Sequence, residues 1–366
     1  MLLTPVAAAA ADGDASALIP SGSGPVPFKD TDDGTVQADA EHTPRDEDLS
    51  SDLVAALPRR QDPIAELLLY QGCWLPKHWV PGVIEFQRRF NPRPDDVILA
   101  SYPKCGTTWL MALAFAAAAR RAYPPAAAAG EHPLRRLHPH DVVPFVEEVF
   151  ARGEEARLDM LPSPRLMSTH LPFTLLPEPV AGGGCRVVYI CRDPKDMVVS
   201  LWHFLRRSCK PPTKPEDLSF AEMFDAVCDG TAALGPVWDH VLSYWRAAVA
   251  RPDRVLFLRY EDLLGDPGEG VRRLAGFMGR PFSAAEEAVG AVATVVELCS
   301  LGNMKALEVN KNKASSAASG NLAIPRDAFF RKGVAGDWAN HMTPEMAARM
   351  DGIFREKLLG TGFSFA

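Results

Sequence analysis

Short apolar runs alternate with helical patterns along this chain from about residue 96 onward. The runs predict strands at Asp96–Ser101, Arg165–Thr169, Arg186–Cys191 and Val255–Arg259. Strands that are apolar on both faces are typical of a parallel sheet covered by helices, so the pattern predicts an α/β fold with a central parallel sheet between two helical layers. Ligands of such sheets bind at the carboxyl ends of the strands. The residues that directly follow each strand are therefore the candidates for function.

Apolar residues at helical spacing predict the elements between and after these strands. Asp193 and Pro194 form an N-cap followed by a proline at the first helical position, which marks the start of one helix. The predicted helices are Thr107–Arg121, Pro194–Phe204, Phe220–Val227, Val237–Ala250, Gly270–Met278, Ala284–Ala291 and Glu345–Leu358. Between residues 66 and 89 the mixed aromatic and apolar pattern indicates ordered chain without deciding the element type.

The first 62 residues show no such periodicity and are rich in Ala, Gly, Ser, Pro and acidic residues. A segment of this composition buries too little apolar surface to offset its ordering entropy. We therefore expect a disordered acidic tail over residues 1–62 and one domain over residues 63–366. The start of the chain lacks the basic residues and the long apolar run of a secretory signal, and no stretch is long enough to span a bilayer. We expect a soluble cytoplasmic protein with no membrane partner.

Charge and cysteine content exclude two broad classes of function. Lys plus Arg number 39 against 46 Asp plus Glu, and the net charge of −7 argues against a general nucleic-acid binder. Any anion site must then be a local basic pocket. The seven cysteines are scattered without C-x-x-C spacing, which favours reduced thiols over zinc ligands or disulfides.

The segment Tyr102–Trp109 joins the first predicted strand to the first predicted helix. Unpaired N–H groups and the helix dipole make such a junction a site for phosphate or sulfate. Lys104 adds a positive charge, Gly106 allows close approach of the backbone, and the hydroxyls of Thr107 and Thr108 add donors. The spacing is not G-x-x-x-x-G-K-[ST], so a standard nucleoside-triphosphatase loop is not indicated. The alternative is an ordinary turn that contains a lysine.

A histidine, His170, follows the second predicted strand. Its unperturbed pKa suits a group that takes a proton near neutral pH, and its position would bring an acceptor substrate next to the anion loop. A structural histidine at a strand end is the alternative reading. His138 and His140, in a polar connection, have weaker claims.

Arg192 follows the third predicted strand, and Ser200 lies two helical turns further on. An arginine can pair with a phosphate through two hydrogen bonds while a serine on the returning helix face donates another. The alternative is a solvated charge cluster at a helix cap.

Tyr260 follows the fourth predicted strand, where its ring would contact a nucleotide base or close the core. Arg331, Lys332 and Gly333 come after Ala314–Asn321, a stretch whose glycine and serine content predicts a flexible loop. Basic residues after a mobile loop are typical of a lid that clamps a phosphate.

Taken together, these segments resemble the soluble sulfotransferases that depend on 3′-phosphoadenylyl sulfate, and the plant branch in particular. The similarity runs from about Leu67 to the end of the chain. The motifs that carry it are Tyr102–Trp109, Thr169–Pro172, Arg192–Ser200, Tyr260–Asp262 and Arg331–Trp338, with Tyr70–Gly72 and Phe90–Asp96 indicating the plant branch.

The resemblance implies a P-loop-like three-layer fold and transfer of a sulfuryl group from the donor to a hydroxyl, leaving adenosine 3′,5′-bisphosphate. Lys104 and the N–H groups of Cys105, Gly106, Thr107, Thr108 and Trp109 would hold the 5′-phosphosulfate and stabilise the leaving oxygen. His170 would be the general base. The 3′-phosphate would bind Arg192, Ser200, Arg331, Lys332 and Gly333.

The resemblance assigns further roles around the nucleotide. Ser200 would also hold Lys104 back until the acceptor arrives, and the adenine would lie against Trp109 and Tyr260. Ser300 would belong to the donor site as well, although Leu301 stands where the family usually has a phenylalanine. The transferred group carries less charge than a phosphoryl group, so we expect no metal cofactor.

The partner would be a small hydroxylated acceptor of flavonoid, steroid, hydroxyjasmonate or terpenoid-signal type. Phe173, Trp79, Phe145 and Phe329–Phe330 favour an apolar one. Only Thr343 of the animal dimerisation motif is present, which leaves the oligomeric state open. A nucleotide kinase and a non-catalytic adenosine bisphosphate-binding protein are the competing hypotheses.

Overall fold

The structure, a computed structural model, describes residues 24–31, 47–62, 64–126, 131–211, 213–311 and 322–365. Its strands are β1 (Arg59–Gln61), β2 (Glu66–Tyr70), β3 (Cys73–Pro76), β4 (Val97–Ser101), β5 (Leu166–Thr169), β6 (Arg186–Cys191) and β7 (Val255–Arg259). Its α-helices are α1 (Glu47–Ala56), α2 (Val80–Arg89), α3 (Thr107–Ala118), α4 (Pro133–Arg136), α5 (Pro139–Val142), α6 (Val146–Arg152), α7 (Glu155–Met160), α8 (Glu178–Ala181), α9 (Pro194–Ser208), α10 (Phe220–Cys228), α11 (Val237–Ala250), α12 (Tyr260–Gly265), α13 (Pro267–Phe277), α14 (Ala284–Ala288), α15 (Ala291–Leu298), α16 (Leu301–Ala306) and α17 (Pro344–Lys357).

The four predicted strands form one parallel sheet in the order β5-β4-β6-β7. The predicted parallel α/β fold is therefore confirmed. Strand β4 lies between β5 and β6, and Leu99 is in register with Ser168 on one side and Val188 on the other. After β4, the chain adds β5 on one side of it and then β6 on the other side. The carboxyl end of β4 is therefore the switch point where ligands of such sheets bind.

Alternate residues of β4 pack into the two apolar layers that sandwich the sheet. Ile98 belongs to the cluster that contains Val198 of α9 and Val241 of α11. Leu99 belongs to the other cluster, with Leu110 of α3 and Val271 of α13. Because successive side chains of a strand point to opposite faces, one five-residue strand supports both helical layers.

A second, antiparallel sheet joins β1, β2 and β3. Strand β1 (Arg59–Gln61) lies inside the tail that was expected to be disordered, and Phe28 is also buried against the domain. The described parts of this segment thus carry secondary structure, and the domain boundary at residue 62 stays a prediction. The short polar strand carries no apolar periodicity and is held by backbone pairing with β2, so the pattern could not reveal it. Residues 1–23 and 32–46 of the predicted tail, and the whole stretch 314–321, lie outside the described residues.

Within the described part of the chain, no helix has the length and apolar content needed to cross a membrane.

A buried ion pair joins the starts of β4 and β5. Asp96 is 0% exposed and Arg165 is 2% exposed. The guanidinium donates from Nη2 to Asp96 Oδ2 at 2.6 Å and from Nε to Oδ1 at 3.0 Å. The same carboxylate accepts the N–H of Arg93 at 2.8 Å. The pair fixes the relative position of the two strands whose far ends carry the site described below.

Replacing Asp96 with alanine should destabilise the fold strongly, because it removes the buried carboxylate partner of Arg165 and leaves that buried charge with the exposed Asp159. We expect a loss of about 3–5 kcal/mol in the free energy of unfolding, measured by urea denaturation. The exposed neighbour Asp95 is the matched control, and its change to alanine should cost less than about 0.5 kcal/mol. Equal losses for the two variants would contradict this role of the pair.

Candidate active site

The four parallel strands deliver four polar segments to one edge of the sheet. The loop Tyr102–Gly106 follows β4, His170 follows β5, Arg192 follows β6 and Tyr260 follows β7. These segments meet around one cavity.

Backbone conformation shapes the loop after β4. Lys104 and Gly106 both have positive φ, at 67° and 106°. A Cβ atom on Gly106 would come within 2.8 Å of Tyr260 Cδ2, so a larger residue would displace that ring. Glycine is therefore required here both by the left-handed conformation and by the contact with Tyr260.

Helix α3 begins directly at this loop and directs its first N–H groups toward the cavity edge. Groups in the first turn of a helix have no intrahelical acceptor, which makes them available to an anion. The hydroxyl oxygens of Thr107 and Ser101 lie 2.5 Å apart, and Thr108 Oγ1 lies 3.0 Å from His140 Nε2. The two hydroxyls thus have partners in the protein that fix their side chains.

Lys104 projects into the cavity among aromatic rings and other cations. Its Nζ lies 3.8 Å from the ring centroid of Phe204 and 5.4 Å from that of Phe329. Burial, together with the charges of Arg192 and Arg331, lowers the pKa of Lys104 to about 7. No ion pair to Lys104 occurs within the described ranges, so an anion bound here would restore its usual protonation.

Arg192 is a second cation that lines the cavity. Its Nη2 donates to the carbonyl oxygen of Val334 at 2.7 Å, and its guanidinium carbon lies 4.5 Å from the ring centroid of Tyr260. Its Nε is buried and has no hydrogen-bond partner among the described residues. Because Arg192 lines the cavity and keeps an unpaired donor, its guanidinium has hydrogen-bonding capacity left for a ligand.

The segment Arg331–Trp338 folds over the cavity because two carboxylates hold it. Asp337 Oδ2 accepts from Arg331 Nη1 at 2.5 Å, and its Oδ1 accepts from Lys332 Nζ at 2.7 Å. These bonds keep the pKa of Asp337 well below its usual range, against the opposing effect of burial. Asp196 of α9 accepts the N–H groups of Gly336 and Trp338 at 2.6 and 2.9 Å. The cationic side chains are thereby positioned before any ligand arrives.

The imidazole of His170 has a defined tautomer. Its Nδ1 lies 2.8 Å from the carbonyl oxygen of Ser101, which can only accept, so Nδ1 carries the hydrogen and Nε2 has a free lone pair. Burial, opposed by the bond to Ser101, lowers the pKa of His170 to about 4. The ring is therefore neutral at neutral pH and able to accept a proton at Nε2.

Residues that the pattern did not single out also line the cavity. His140 of α5 reaches it through its contact with Thr108, and its ring centroid lies 4.3 Å from that of Phe329. Phe204 of α9 lies under Lys104. Phe145, which was expected near the acceptor, places its ring 4.6 Å from the His170 ring. The sequence signal for His140 was only its presence in a polar connection before α6.

Most of the predicted donor-site residues come together, and two do not. The cavity is lined by Pro103, Lys104, Gly106, Thr107, Thr108, Trp109, His140, His170, Arg192, Ser200, Phe204, Tyr260, Leu301, Phe329, Arg331, Lys332 and Gly333. Cys105 is buried away from the cavity, and its N–H donates to the Tyr102 carbonyl at 3.2 Å. Ser300 caps α16 instead, because its hydroxyl accepts the N–H of Asn303 at 3.3 Å.

The predicted adenine contacts adjoin each other. The rings of Trp109 and Tyr260 meet edge to face, with centroids 5.8 Å apart. Among the described residues, no group of three or more His, Cys, Asp or Glu side chains has the arrangement of a metal site.

Comparison with known proteins places this geometry in a family. The family model described as "Sulfotransferase domain" matches residues 94–362. Cytosolic sulfotransferase 1 of Arabidopsis thaliana is 42% identical over 329 residues, which cover 88% of this chain and 97% of that protein. Cytosolic sulfotransferase 17 of the same plant is 43% identical over 319 residues, covering 85% and 89% respectively.

Solved structures agree with this assignment. A sulphotransferase from Arabidopsis thaliana shares 34% identity with a TM-score of 0.68, and the match covers 88% of this chain and 98% of that one. Mouse sulfotransferase SULT7A1 complexed with PAP shares 27% identity with a TM-score of 0.59, covering 80% and 95%. The chain belongs to the sulfotransferase family and is a sulfotransferase of the plant cytosolic type.

Proposed function

We propose that this chain transfers the sulfuryl group of 3′-phosphoadenylyl sulfate to a hydroxyl of a small apolar acceptor. The observation that carries the proposal is one cavity that combines four cations, Lys104, Arg192, Arg331 and Lys332, with the free Nε2 of a neutral His170. The PAP held by the mouse relative supports the choice of donor.

The residues fit the two anionic ends of such a donor. The unpaired Nε of Arg192, with Ser200, Arg331, Lys332 and Gly333 nearby, suits the 3′-phosphate. Lys104 and the start of α3, including Gly106, Thr107 and Thr108, suit the 5′-phosphosulfate. Trp109 and Tyr260 are apolar surfaces for the adenine at the side of the cavity where α3 and α12 meet.

The reaction follows from the positions of a base, His170, and a cation, Lys104. His170 Nε2 accepts the hydroxyl proton of the acceptor while that oxygen forms a bond to sulfur. The bond between sulfur and the bridging phosphate oxygen breaks, and its electron pair remains on that oxygen. Lys104 stabilises the developing negative charge there. Ser200, on α9 beside Lys104, would restrain the lysine until the acceptor is bound.

Aromatic rings surround the base on the acceptor side. Phe145 lies against His170, Phe329 lies against His140, and Phe204 lies against Lys104. This surface favours an apolar hydroxylated molecule of flavonoid, steroid, hydroxyjasmonate or terpenoid-signal type.

Transfer of label tests the function directly. The chain, incubated with ³⁵S-labelled donor and a panel of these acceptors, should produce labelled organic sulfate and adenosine 3′,5′-bisphosphate in equal amounts. The same yield is expected in EDTA, because no metal is part of the proposed chemistry. Nucleotide binding without any labelled product from the panel would favour the non-catalytic hypothesis.

Changing His170 to alanine should abolish transfer and leave donor binding nearly intact, since the base contacts the acceptor and not the nucleotide. We expect kcat to fall by about 100-fold or more, within the usual range for a general base. Calorimetry with adenosine 3′,5′-bisphosphate should give a dissociation constant within about threefold of the wild-type value. His78, beside the separate cavity near α2, supplies a matched histidine-to-alanine control. Parallel loss of transfer and binding would make His170 structural.

The affinity for adenosine 3′,5′-bisphosphate should fall as pH rises above about 7, because the pKa of Lys104 in the free protein is about 7 and the charged form binds the anion. Ligand phosphates are fully ionised there, since their second pKa is about 6. The dissociation constant should rise by up to about tenfold per pH unit, as measured by calorimetry.

Lys104→Arg is the control for this pH dependence, because a guanidinium stays charged throughout the range. Its dissociation constant should be nearly constant between about pH 7.5 and 9. The same slope in both proteins would mean that another group causes the dependence.

A further inference from the structure

Three different elements fix His170 in place. Its backbone N–H donates to Glu147 Oε1 of α6 at 2.6 Å. Its carbonyl oxygen lies 3.0 Å from Nε2 of His240, on α11. Its ring Nδ1 donates to the carbonyl of Ser101, at the end of β4. The backbone N–H, the backbone C=O and the ring Nδ1 of His170 thus all have hydrogen-bond partners. Its Nε2 remains available for proton transfer.

Glu147 is an unusual residue for this purpose. It is 0% exposed, and its second oxygen, Oε2, has no hydrogen-bond partner among the described residues. Burial raises its pKa to about 8, against the lowering effect of the bond from His170. A carboxyl group in such surroundings is costly to bury, and its 2.6 Å hydrogen bond goes to the backbone of the proposed base.

His240 is buried as well, at 1% exposure, and its hydrogen bonds define its tautomer. A carbonyl oxygen can only accept, so Nε2 carries the hydrogen that is donated to His170. Nδ1 then accepts from the hydroxyl of Tyr189 at 3.0 Å. Burial lowers the pKa of His240 to about 3, which keeps the ring neutral and this arrangement intact.

We propose that Glu147 and His240 are positioning residues for His170, an inference that rests on the proposed sulfuryl transfer. They hydrogen-bond to its backbone N–H and C=O, and so they set the direction of its side chain and the position of Nε2. Neither residue is among those that line the cavity. Their effect should therefore appear in the chemical step rather than in nucleotide affinity.

Two substitutions at Glu147 separate the effect of its hydrogen bond to His170 from the effect of its side-chain volume. Glu147→Gln keeps an oxygen that can accept the His170 N–H, and we expect kcat within about threefold of wild type. Glu147→Leu fills similar space without an acceptor, and kcat should fall by about 30- to 100-fold, as expected for a displacement of about 1 Å. Calorimetry should give the same dissociation constant for adenosine 3′,5′-bisphosphate in both variants. The next residue, Glu148, is partly buried and pairs with Arg152, and Glu148→Leu is the matched control.

His240 provides an independent pair of variants. His240→Gln retains a side-chain N–H for the His170 carbonyl and should keep more of the rate than His240→Phe, which retains only the ring shape. If Glu147→Leu does not fold, as judged by thermal unfolding, the His240 pair decides the question. If neither residue tolerates its apolar substitution, both are structural and the proposal is overturned.

The outcomes distinguish this inference from the proposed function. Absence of transfer by the wild-type protein across the acceptor panel would overturn the proposed function and this inference with it. Transfer by the wild type together with an unchanged kcat in Glu147→Leu would overturn only the positioning role. Equal rate loss in Glu147→Gln and Glu147→Leu would also overturn it, because the conservative variant would then give no rescue.

Discussion

Four cations, Lys104, Arg192, Arg331 and Lys332, share one cavity at the carboxyl edge of the parallel sheet, and burial makes the charge of Lys104 costly until an anion joins it. The depressed pKa of Lys104 is the direct expression of this cost. Carboxylates are present nearby, but Asp196 and Asp337 hold the segment that carries Arg331 and do not approach Lys104. The protein thereby keeps its basic groups in position and leaves their charge only partly compensated. A ligand with two anionic ends would relieve that imbalance.

Much of the site follows from sequence because a parallel sheet brings the ends of its strands to one edge. The apolar runs located the four strands, and the residue after each one, including His170, Arg192 and Tyr260, proved to face the same cavity. Family resemblance added what position could not, namely the proposed donor and the proposed roles of the residues around it. The fold was predictable for the same reason, since strands buried on both faces need a helical layer on each side.

What the sequence did not reveal depends on contacts between distant segments. His140 reaches the cavity from a helix of four residues, too short for periodicity, and its hydrogen bond to Thr108 spans 32 positions. Glu147 and His240 reach the backbone of His170 from α6 and α11, two helices that are far apart in the chain. Cys105 was assigned by its place in a motif, but a turn hydrogen bond already uses its N–H. Such details require the path of the backbone, which residue type and spacing leave undetermined.

A crystal structure of the protein with adenosine 3′,5′-bisphosphate tests the central claim most directly. We expect the 5′-phosphate within hydrogen-bond distance of Lys104 and the first N–H groups of α3. The 3′-phosphate should complete the open donor of Arg192. The His170 Nε2 should then face the vacant side of the 5′-phosphate, where sulfur would be attached. Nucleotide bound elsewhere, such as in the cavity beside His78, or with neither phosphate near these cations, would contradict the account.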